Sequence, residues 1–259
     1  MSTIDHHPAG HFVWLELATT SQSAAKNFYS ALFGWEAKDS PMGPDAVYTM
    51  FRLNGRDVGG AFQISAEEHR IPPHWQIYVA VDNADESASR ASELGGRIVQ
   101  LPTDIPNVGR MAVLQDPTGA MLSVFQPGMH KGMGVIGEPG AFCWADLQTR
   151  DRTAATHFYS SLFGWEFTLG KDQDPSGYLH IRKGEEHIGG VPGPGTLPPQ
   201  VPPHWLAYIQ VTDCTALATR ARELGASILL PPTTVENQLH FSVLADPQGA
   251  AFALFQPAH

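Results

Sequence analysis

Alternation of apolar and polar residues predicts a strand near the start of each half of the chain. Apolar side chains alternate along residues 12–17 and again along residues 142–147, which is the two-residue period of a strand with one buried face. From residue 24 to residue 33 the apolar positions recur every four residues instead, and this spacing predicts a helix with one apolar face. Gly34 follows at once, as glycine commonly does after a last helical turn.

The remainder of the first half predicts seven further strands and a second helix. One strand begins at Trp35, and the Asn54-Gly55 turn between two strand-like segments is a strong hairpin signal. Asn83 with Glu86 three residues later is typical of a helix start. The other predicted strands are residues 46–53, 57–64, 74–81, 97–100, 110–116 and 121–126. Each half therefore contains two successive β-α-β-β-β modules.

The chain repeats itself at an offset of 130 residues. The matching segments are residues 27–36 and 157–166, the Gly-Gly pairs at 59 and 189, the Pro-Pro-His-Trp segments at 72 and 202, the Asp-Pro pairs at 116 and 246, and the Phe-Gln-Pro segments at 125 and 255. A period this long indicates a duplicated domain and not a solenoid of short repeats. We predict a first domain at residues 1–127, a glycine-rich linker at 128–139 and a second domain at 140–259.

These motifs together resemble one superfamily. Four β-α-β-β-β modules, a Phe-Tyr pair before Leu-Phe-Gly-Trp, and an Asp-Pro-x-Gly turn before the last strand are similar to the vicinal oxygen chelate proteins. That superfamily includes glyoxalase I, bleomycin-resistance proteins and extradiol dioxygenases. The resemblance covers residues 10–127 and 140–257, and it implies an α+β fold of two tandem domains with open, curved sheets. Relatives pair their modules within a half or exchange them between halves, and the sequence leaves both arrangements open.

The resemblance also implies where a divalent metal would bind in the metal-dependent members. Their His, Gln or Glu ligands come from the first and last strands of the modules, and such a site needs about three nitrogen or oxygen ligands. Neither half of this chain supplies such a set, so we expect no cofactor. In the first half the ligand positions fall on Trp14 or Val13, on Gly60 and Ala61, on Gln76 and on Ser123. In the second half they fall on Trp144 or Cys143, on Gly190 and Val191, on Leu206 and on Ala253.

Both halves have an acidic residue near the first ligand position, a glutamate in one and an aspartate in the other. Glu16 shares a strand face with Trp14 by the two-residue period, and Asp146 does so with Trp144. Such a carboxylate could bind a cationic ligand group, or act as a general base if burial raises its pKa. The structural alternative is a carboxylate that is hydrogen-bonded to a neighbouring strand.

Histidines offer a different set of candidates. His74 and His204 lie in the repeated Pro-Pro-His-Trp segments, where a histidine either carries protons near neutral pH or anchors the loop, and the anchoring interpretation is favoured. His180 and His240 occur in the second half only. With His204 they could form an atypical divalent metal site, although nothing in their spacing shows that they converge.

Composition narrows the class of protein and of partner. The net charge of −10 argues against nucleic acid or an anionic membrane as partner. No apolar run approaches the roughly 20 residues of a membrane span. The N-terminal segment lacks the pattern of an export signal, and two cysteines make no disulfide framework. We expect a cytoplasmic protein, monomeric or homodimeric, whose partner is a small organic molecule.

Two functional hypotheses follow. The first is a glyoxalase- or bleomycin-resistance-like protein that binds a small organic ligand in an aromatic-lined cavity without the usual metal site. The alternative is a lyase, isomerase or dioxygenase-type enzyme that uses an atypical divalent metal site. The predicted ligand-binding residues are Trp14, Glu16, Gln76, Tyr78 and Ser123 in the first domain and Trp144, Asp146, His204 and Tyr208 in the second.

Overall fold

Each half of the chain builds one eight-stranded sheet and two helices. The structure is a computed structural model that describes residues 4–42, 46–65, 71–170, 176–235 and 239–258. The elements of the first half are β1 (Phe12–Thr19), α1 (Gln22–Phe33), β2 (Glu36–Pro41), β3 (Val47–Leu53), β4 (Arg56–Gln63), β5 (His74–Ala80), α2 (Ala84–Glu93), β6 (Arg97–Ile105), β7 (Gly109–Gln115) and β8 (Met121–Pro127).

The second half has the same order of elements. They are β9 (Phe142–Gln148), α3 (Arg152–Phe163), β10 (Glu166–Leu169), β11 (Leu179–Lys183), β12 (Glu186–Val191), β13 (His204–Gln210), α4 (Cys214–Glu223), β14 (Ser227–Val235), β15 (Leu239–Ala245) and β16 (Ala251–Pro257). The predicted α+β fold of two tandem domains is confirmed. Within the described part of the chain, none of the helices has the length and apolar character that crossing a membrane requires.

The order of strands answers the question of module pairing. The first sheet runs β2-β3-β4-β1-β5-β8-β7-β6, and the second runs β10-β11-β12-β9-β13-β16-β15-β14. The two modules of a half are joined by antiparallel pairing of β1 with β5, and of β9 with β13. Modules therefore pair within a half, and every predicted site residue of one domain belongs to one sheet.

The helix boundaries agree with the signals in the sequence. Ser21 caps α1 by accepting a hydrogen bond from the Ala24 N–H, and the helix ends at Gly34 with a left-handed φ of 72°. Asn83 caps α2 by accepting from two backbone N–H groups, and its amide donates to Glu86. The predicted strand at 97–100 was too short, because β6 continues to Ile105. Register shifts along β6 break the alternation that would have revealed its full length.

Two faces of each sheet have different surroundings. One face, called here the helix face, carries side chains such as Leu15, Leu17 and Trp75, which pack into the core with the helices. The ring of Trp75, for example, lies 5.3 Å from that of Tyr29 on α1. Side chains at alternate positions, such as Gln76 and Tyr78, point to the opposite side. This opposite side is called the inner face below.

The repeated Phe-Tyr and Asp-Pro-x-Gly motifs meet across the boundary between the domains. The Tyr29 hydroxyl donates to Asp246 of the other half at 2.9 Å and accepts from the Trp75 indole N–H, also at 2.9 Å. In the mirrored arrangement Trp205 donates to the Tyr159 hydroxyl at 3.0 Å, and Asp116 lies beside that hydroxyl. Burial, followed by the neighbouring aspartate, raises the pKa of both tyrosines.

The tryptophan after each first helix also reaches into the other half. The Trp35 indole donates to the carbonyl of Gly140, and the Trp165 indole donates to that of Gly10, both at 2.7 Å. Phe12 packs edge-on against Phe142 at 5.7 Å. Much of what the two copies share therefore joins the domains to each other.

Candidate functional site

Four neighbouring strands bring the predicted site residues together at the centre of the inner face. In the first sheet Glu16 on β1 lies opposite Gly60 on β4 and Gln76 on β5. One step along the same face, Trp14 lies opposite Tyr78, and Tyr78 lies opposite Ser123 on β8. All five predicted residues of the first domain therefore share one patch. Trp14, Gln76 and Ser123 in this patch stand at positions that the resemblance assigned to metal ligands, and Glu16 and Tyr78 lie beside them.

A hydrogen-bonded network around Glu16 fills the patch in the first domain. The Tyr78 hydroxyl donates to the carboxylate at 2.6 Å, and the Tyr48 hydroxyl is a second hydrogen-bond partner. The Trp14 indole donates to the Tyr48 hydroxyl at 3.0 Å. Burial raises the pKa of Glu16, and the two tyrosine hydrogen bonds lower it without cancelling that rise. Beside this network Gln76 donates to Ser123 at 3.0 Å.

The second domain repeats the network around Asp146. The hydroxyls of Tyr178 and Tyr208 donate to the two carboxylate oxygens at 2.5 and 2.7 Å. The Trp144 indole lies within hydrogen-bond distance of both Asp146, at 3.1 Å, and the Tyr178 hydroxyl, at 2.7 Å. Burial raises the pKa of Asp146, and the hydrogen bonds from these three donors lower it without cancelling that rise. Leu206 and Ala253 stand where the first domain has its Gln76 and Ser123 pair, so only the carboxylate network is common to both domains.

Tyr48 and Tyr178 are members of the networks that the sequence analysis missed. Tyr48 comes from β3, and Tyr178 lies directly before β11. Each hydroxyl occupies the space above a repeated glycine, where a β-carbon on Gly60 or Gly190 would overlap it. The available signal was the joint repetition of these tyrosines and glycines at the same offset of 130 residues.

Among the described residues, each inner-face patch supplies fewer ligands than a divalent ion of this kind requires. A metal site of this kind needs about three nitrogen or oxygen ligands, whereas each patch contains one carboxylate whose oxygens already accept tyrosine hydrogen bonds. Among the described residues, no three His, Cys, Asp or Glu side chains form a group that could hold a metal. The interactions that these residues make are hydrogen bonds and aromatic contacts.

Among the described residues, the three histidines of the alternative metal site form no group that could hold a metal. His204 Nδ1 hydrogen-bonds the Pro202 carbonyl at 2.9 Å, as His74 Nδ1 does with Pro72 at 2.8 Å. Both therefore anchor their loops, which is the interpretation that the sequence favoured. His240 Nδ1 pairs with the Thr234 hydroxyl at 2.9 Å. His180 packs against Trp144 and Tyr178, with ring centres 6.1 and 5.1 Å away.

The two inner faces differ in how far they are covered. In the first domain Trp14, Met111 and Phe125 are buried. The linker residue His130 stands edge-on to Trp14, with ring centres 4.6 Å apart, and its backbone N–H bonds the Val108 carbonyl at 3.2 Å. In the second domain the corresponding aromatic side chains Trp144, Phe241 and Phe255 are only partly buried. The second domain therefore presents an accessible aromatic surface beside its carboxylate network.

Comparison with known proteins gives relatives over nearly the whole chain. Residues 10–124 and 141–254 match the family described as the Glyoxalase/Bleomycin resistance protein/Dioxygenase superfamily. CFP32 of Mycobacterium tuberculosis, which carries a provisional glyoxylase name, is 35% identical over 247 residues, covering 95% of this chain and 94% of that protein. The anthracycline biosynthesis protein DnrV of Streptomyces peucetius is 33% identical over 259 residues, covering 94% of this chain and 92% of that protein.

Solved structures share the fold at lower sequence identity. The Mn(II)-bound glyoxalase from Novosphingobium aromaticivorans has a TM-score of 0.66 at 16% identity, covering 97% of this chain and 83% of that one. The 2,3-dioxygenase LapB from Pseudomonas sp. KL28 has a TM-score of 0.64 at 11% identity, covering 96% and 92%. These likenesses concern the fold alone. The family match and the two sequence relatives show that the chain belongs to the glyoxalase/bleomycin resistance protein/dioxygenase superfamily.

Proposed function

We propose that the protein binds a flat aromatic small molecule on the inner face of its second domain, without a divalent metal. The observation that carries this proposal is the partly exposed wall of Trp144, Phe241 and Phe255 beside the Asp146 network. Apolar walls with a few polar groups are typical of small-molecule sites. Aromatic side chains favour aromatic ligands, because rings attract each other in stacked and edge-on arrangements.

The carboxylate network contributes by holding the wall in place. The Trp144 indole N–H is held between Asp146 and the Tyr178 hydroxyl, which fixes the orientation of the ring before a ligand arrives. A preorganised surface loses less conformational entropy on binding. Asp146 is itself buried and accepts three hydrogen bonds. The carboxylate therefore supports the wall from behind, and the ligand contacts the rings.

The relatives support the choice of ligand class. DnrV carries the name of an anthracycline biosynthesis protein, and this suggests polycyclic hydroxyquinones as the first compounds to test. Binding alone, as in the bleomycin-resistance members that the family name includes, needs no catalyst. A cytoplasmic location remains part of the proposal.

The ligand proposal is tested by tryptophan fluorescence quenching with a dihydroxyanthraquinone. We expect saturable quenching in the wild-type protein and an affinity at least tenfold lower in Trp144→Ala. Trp14→Ala is the matched control in the covered first domain and is expected to keep wild-type affinity. A loss in Trp14→Ala that equals or exceeds the loss in Trp144→Ala would contradict the proposal. Trp144→Phe keeps most of the packing volume and replaces the alanine variant in this comparison if that variant unfolds.

The metal-free part of the proposal is tested separately by elemental analysis of protein purified without chelator. We expect far less than one metal ion per chain. Near-stoichiometric Zn, Ni, Fe or Mn would refute this part and favour a lyase, isomerase or dioxygenase-type activity instead.

A further inference from the structure

A cleft of about 290 Å³ lies between the β3–β4 hairpin and the linker, outside the inner faces. The charged side chains that line it are Arg52, Arg56, Asp57 and Lys131. Three of these four are cationic, although acidic residues outnumber Lys and Arg by 26 to 16 in the whole chain. The lining of the cleft therefore has more positive than negative charges, whereas the whole chain has a net negative charge.

Both arginines have acidic partners, and Arg52 has donors beyond that contact. Arg52 binds Asp57 through Nε at 2.7 Å, and Arg56 binds Glu138 at 2.7 Å. Among the described residues Asp57 is the one hydrogen-bond partner of Arg52. A guanidinium has five N–H donors, so both terminal nitrogens of Arg52 keep theirs.

A linker residue adds further donors to the cleft. Lys131 is exposed, and one of its three ammonium donors goes to the Gly128 carbonyl at 2.5 Å. His130, which also lines the cleft, is a partner of Asp57 and helps to lower the pKa of that carboxyl. The donors that the linker offers to the cleft are therefore those of Lys131.

The corresponding hairpin of the second domain has a different charge pattern. Glu186 replaces Arg56, and His187 replaces Asp57. Glu186 pairs with His11 of the N-terminal segment at 3.3 Å, while Arg182, the counterpart of Arg52, pairs with Glu166. The cationic cluster is therefore a property of the first domain and the linker, and Arg182 offers a matched control.

We propose that this cleft binds a small anion that carries a phosphate or carboxylate group, held by Arg52 and Lys131. A planar guanidinium matches the paired oxygens of either group, and an ammonium adds a compact charge. The proposal does not depend on the function of the inner face, because the cleft and the aromatic wall of the second domain share no residue.

The test is isothermal titration calorimetry of the full chain at low ionic strength, with inorganic phosphate and succinate as separate probes. We expect one of the two probes to bind at one site per chain. The probe that binds shows whether the cleft takes a phosphate or a carboxylate group. Arg52→Gln and Lys131→Ala should each weaken that binding at least fivefold, and Arg182→Gln should leave it unchanged. Lys131 is exposed on the linker, so its replacement puts the fold at little risk. Absence of saturable binding with both probes would overturn the proposal, and so would an equal loss in Arg182→Gln.

Discussion

At the scale of single residues, the two domains keep an acid with the same kinds of partner, half-buried in the case of Glu16 and buried in that of Asp146. Glu16 and Asp146 differ by one methylene, yet each is held by two tyrosine hydroxyls with a tryptophan indole alongside. Hydrogen bonds to a charged group are worth more than those between neutral groups, and they offset part of the cost of burying a carboxylate. The sequence predicted the acids and one tyrosine of each network. It missed Tyr48 and Tyr178, because strand alternation does not show which side chains of a neighbouring strand reach the same point.

The tyrosines lead to a prediction about the stability of the fold at alkaline pH. All six tyrosines of the chain have a pKa raised well above 10, with burial as the first cause. A pKa that is higher in the folded than in the unfolded state contributes stability that is present below about pH 10 and is lost as the pH rises further.

Absorbance at 295 nm measures this directly. We expect little phenolate signal from the folded protein near pH 10, and a steep rise only when the chain unfolds at higher pH, as followed by circular dichroism. Gradual titration of several tyrosines at their ordinary pKa, with the fold intact, would show that the networks are open to solvent.

At the scale of elements, glycines on β4 and β12 decide how closely a tyrosine can approach, which is Tyr48 on β3 in the first domain and Tyr178 directly before β11 in the second. Gly60 and Gly190 lie opposite Glu16 and Asp146 in the register of β4 with β1 and of β12 with β9. The Asn54-Gly55 signal predicted the hairpin that contains Gly60. The requirement for glycine followed only from the position of the Tyr48 hydroxyl above it.

Replacement of Gly190 by alanine tests this arrangement. The added methyl group would overlap the Tyr178 hydroxyl, so we expect a loss of about 1–3 kcal/mol in the free energy of unfolding, the usual cost of overpacking. Urea denaturation measures the loss. Gly134→Ala is the milder comparison, because its nearest neighbour, Arg56 Cβ, would be 3.3 Å away, which is a tight contact without overlap. A loss in Gly190→Ala no larger than the loss in Gly134→Ala would mean that Tyr178 moves aside easily.

At the scale of the whole molecule, the duplicated motifs act mainly between the copies. The Phe-Tyr pair of one half meets the Asp-Pro-x-Gly turn of the other, and each Leu-Phe-Gly-Trp segment donates across the same boundary. A boundary made of buried aromatic side chains with hydrogen-bonded polar ends favours cooperative unfolding of both domains.

Tyr29→Phe tests this coupling. The change removes the hydroxyl that joins Asp246 to Trp75, and we expect about 1–3 kcal/mol of destabilisation. Because the lost contact belongs to both domains, amide hydrogen exchange should accelerate in both sheets, with one unfolding transition retained in calorimetry. Tyr159→Phe, its counterpart, should behave in the same way. Faster exchange in the first sheet alone would show that the domains unfold independently.

The sequence by itself determined the order of elements, the duplication and the family, because these depend on local periodicity, on turn chemistry and on repeated motifs. It also located Glu16 and Asp146, since an acidic residue at the same position of both halves is visible when the halves are aligned. Only the tertiary structure decided that the modules pair within a half, that tyrosines from a neighbouring strand surround the acids, and that His130 covers one inner face while the other remains accessible. Those features depend on contacts between residues far apart in the chain, and such contacts arise from packing in three dimensions.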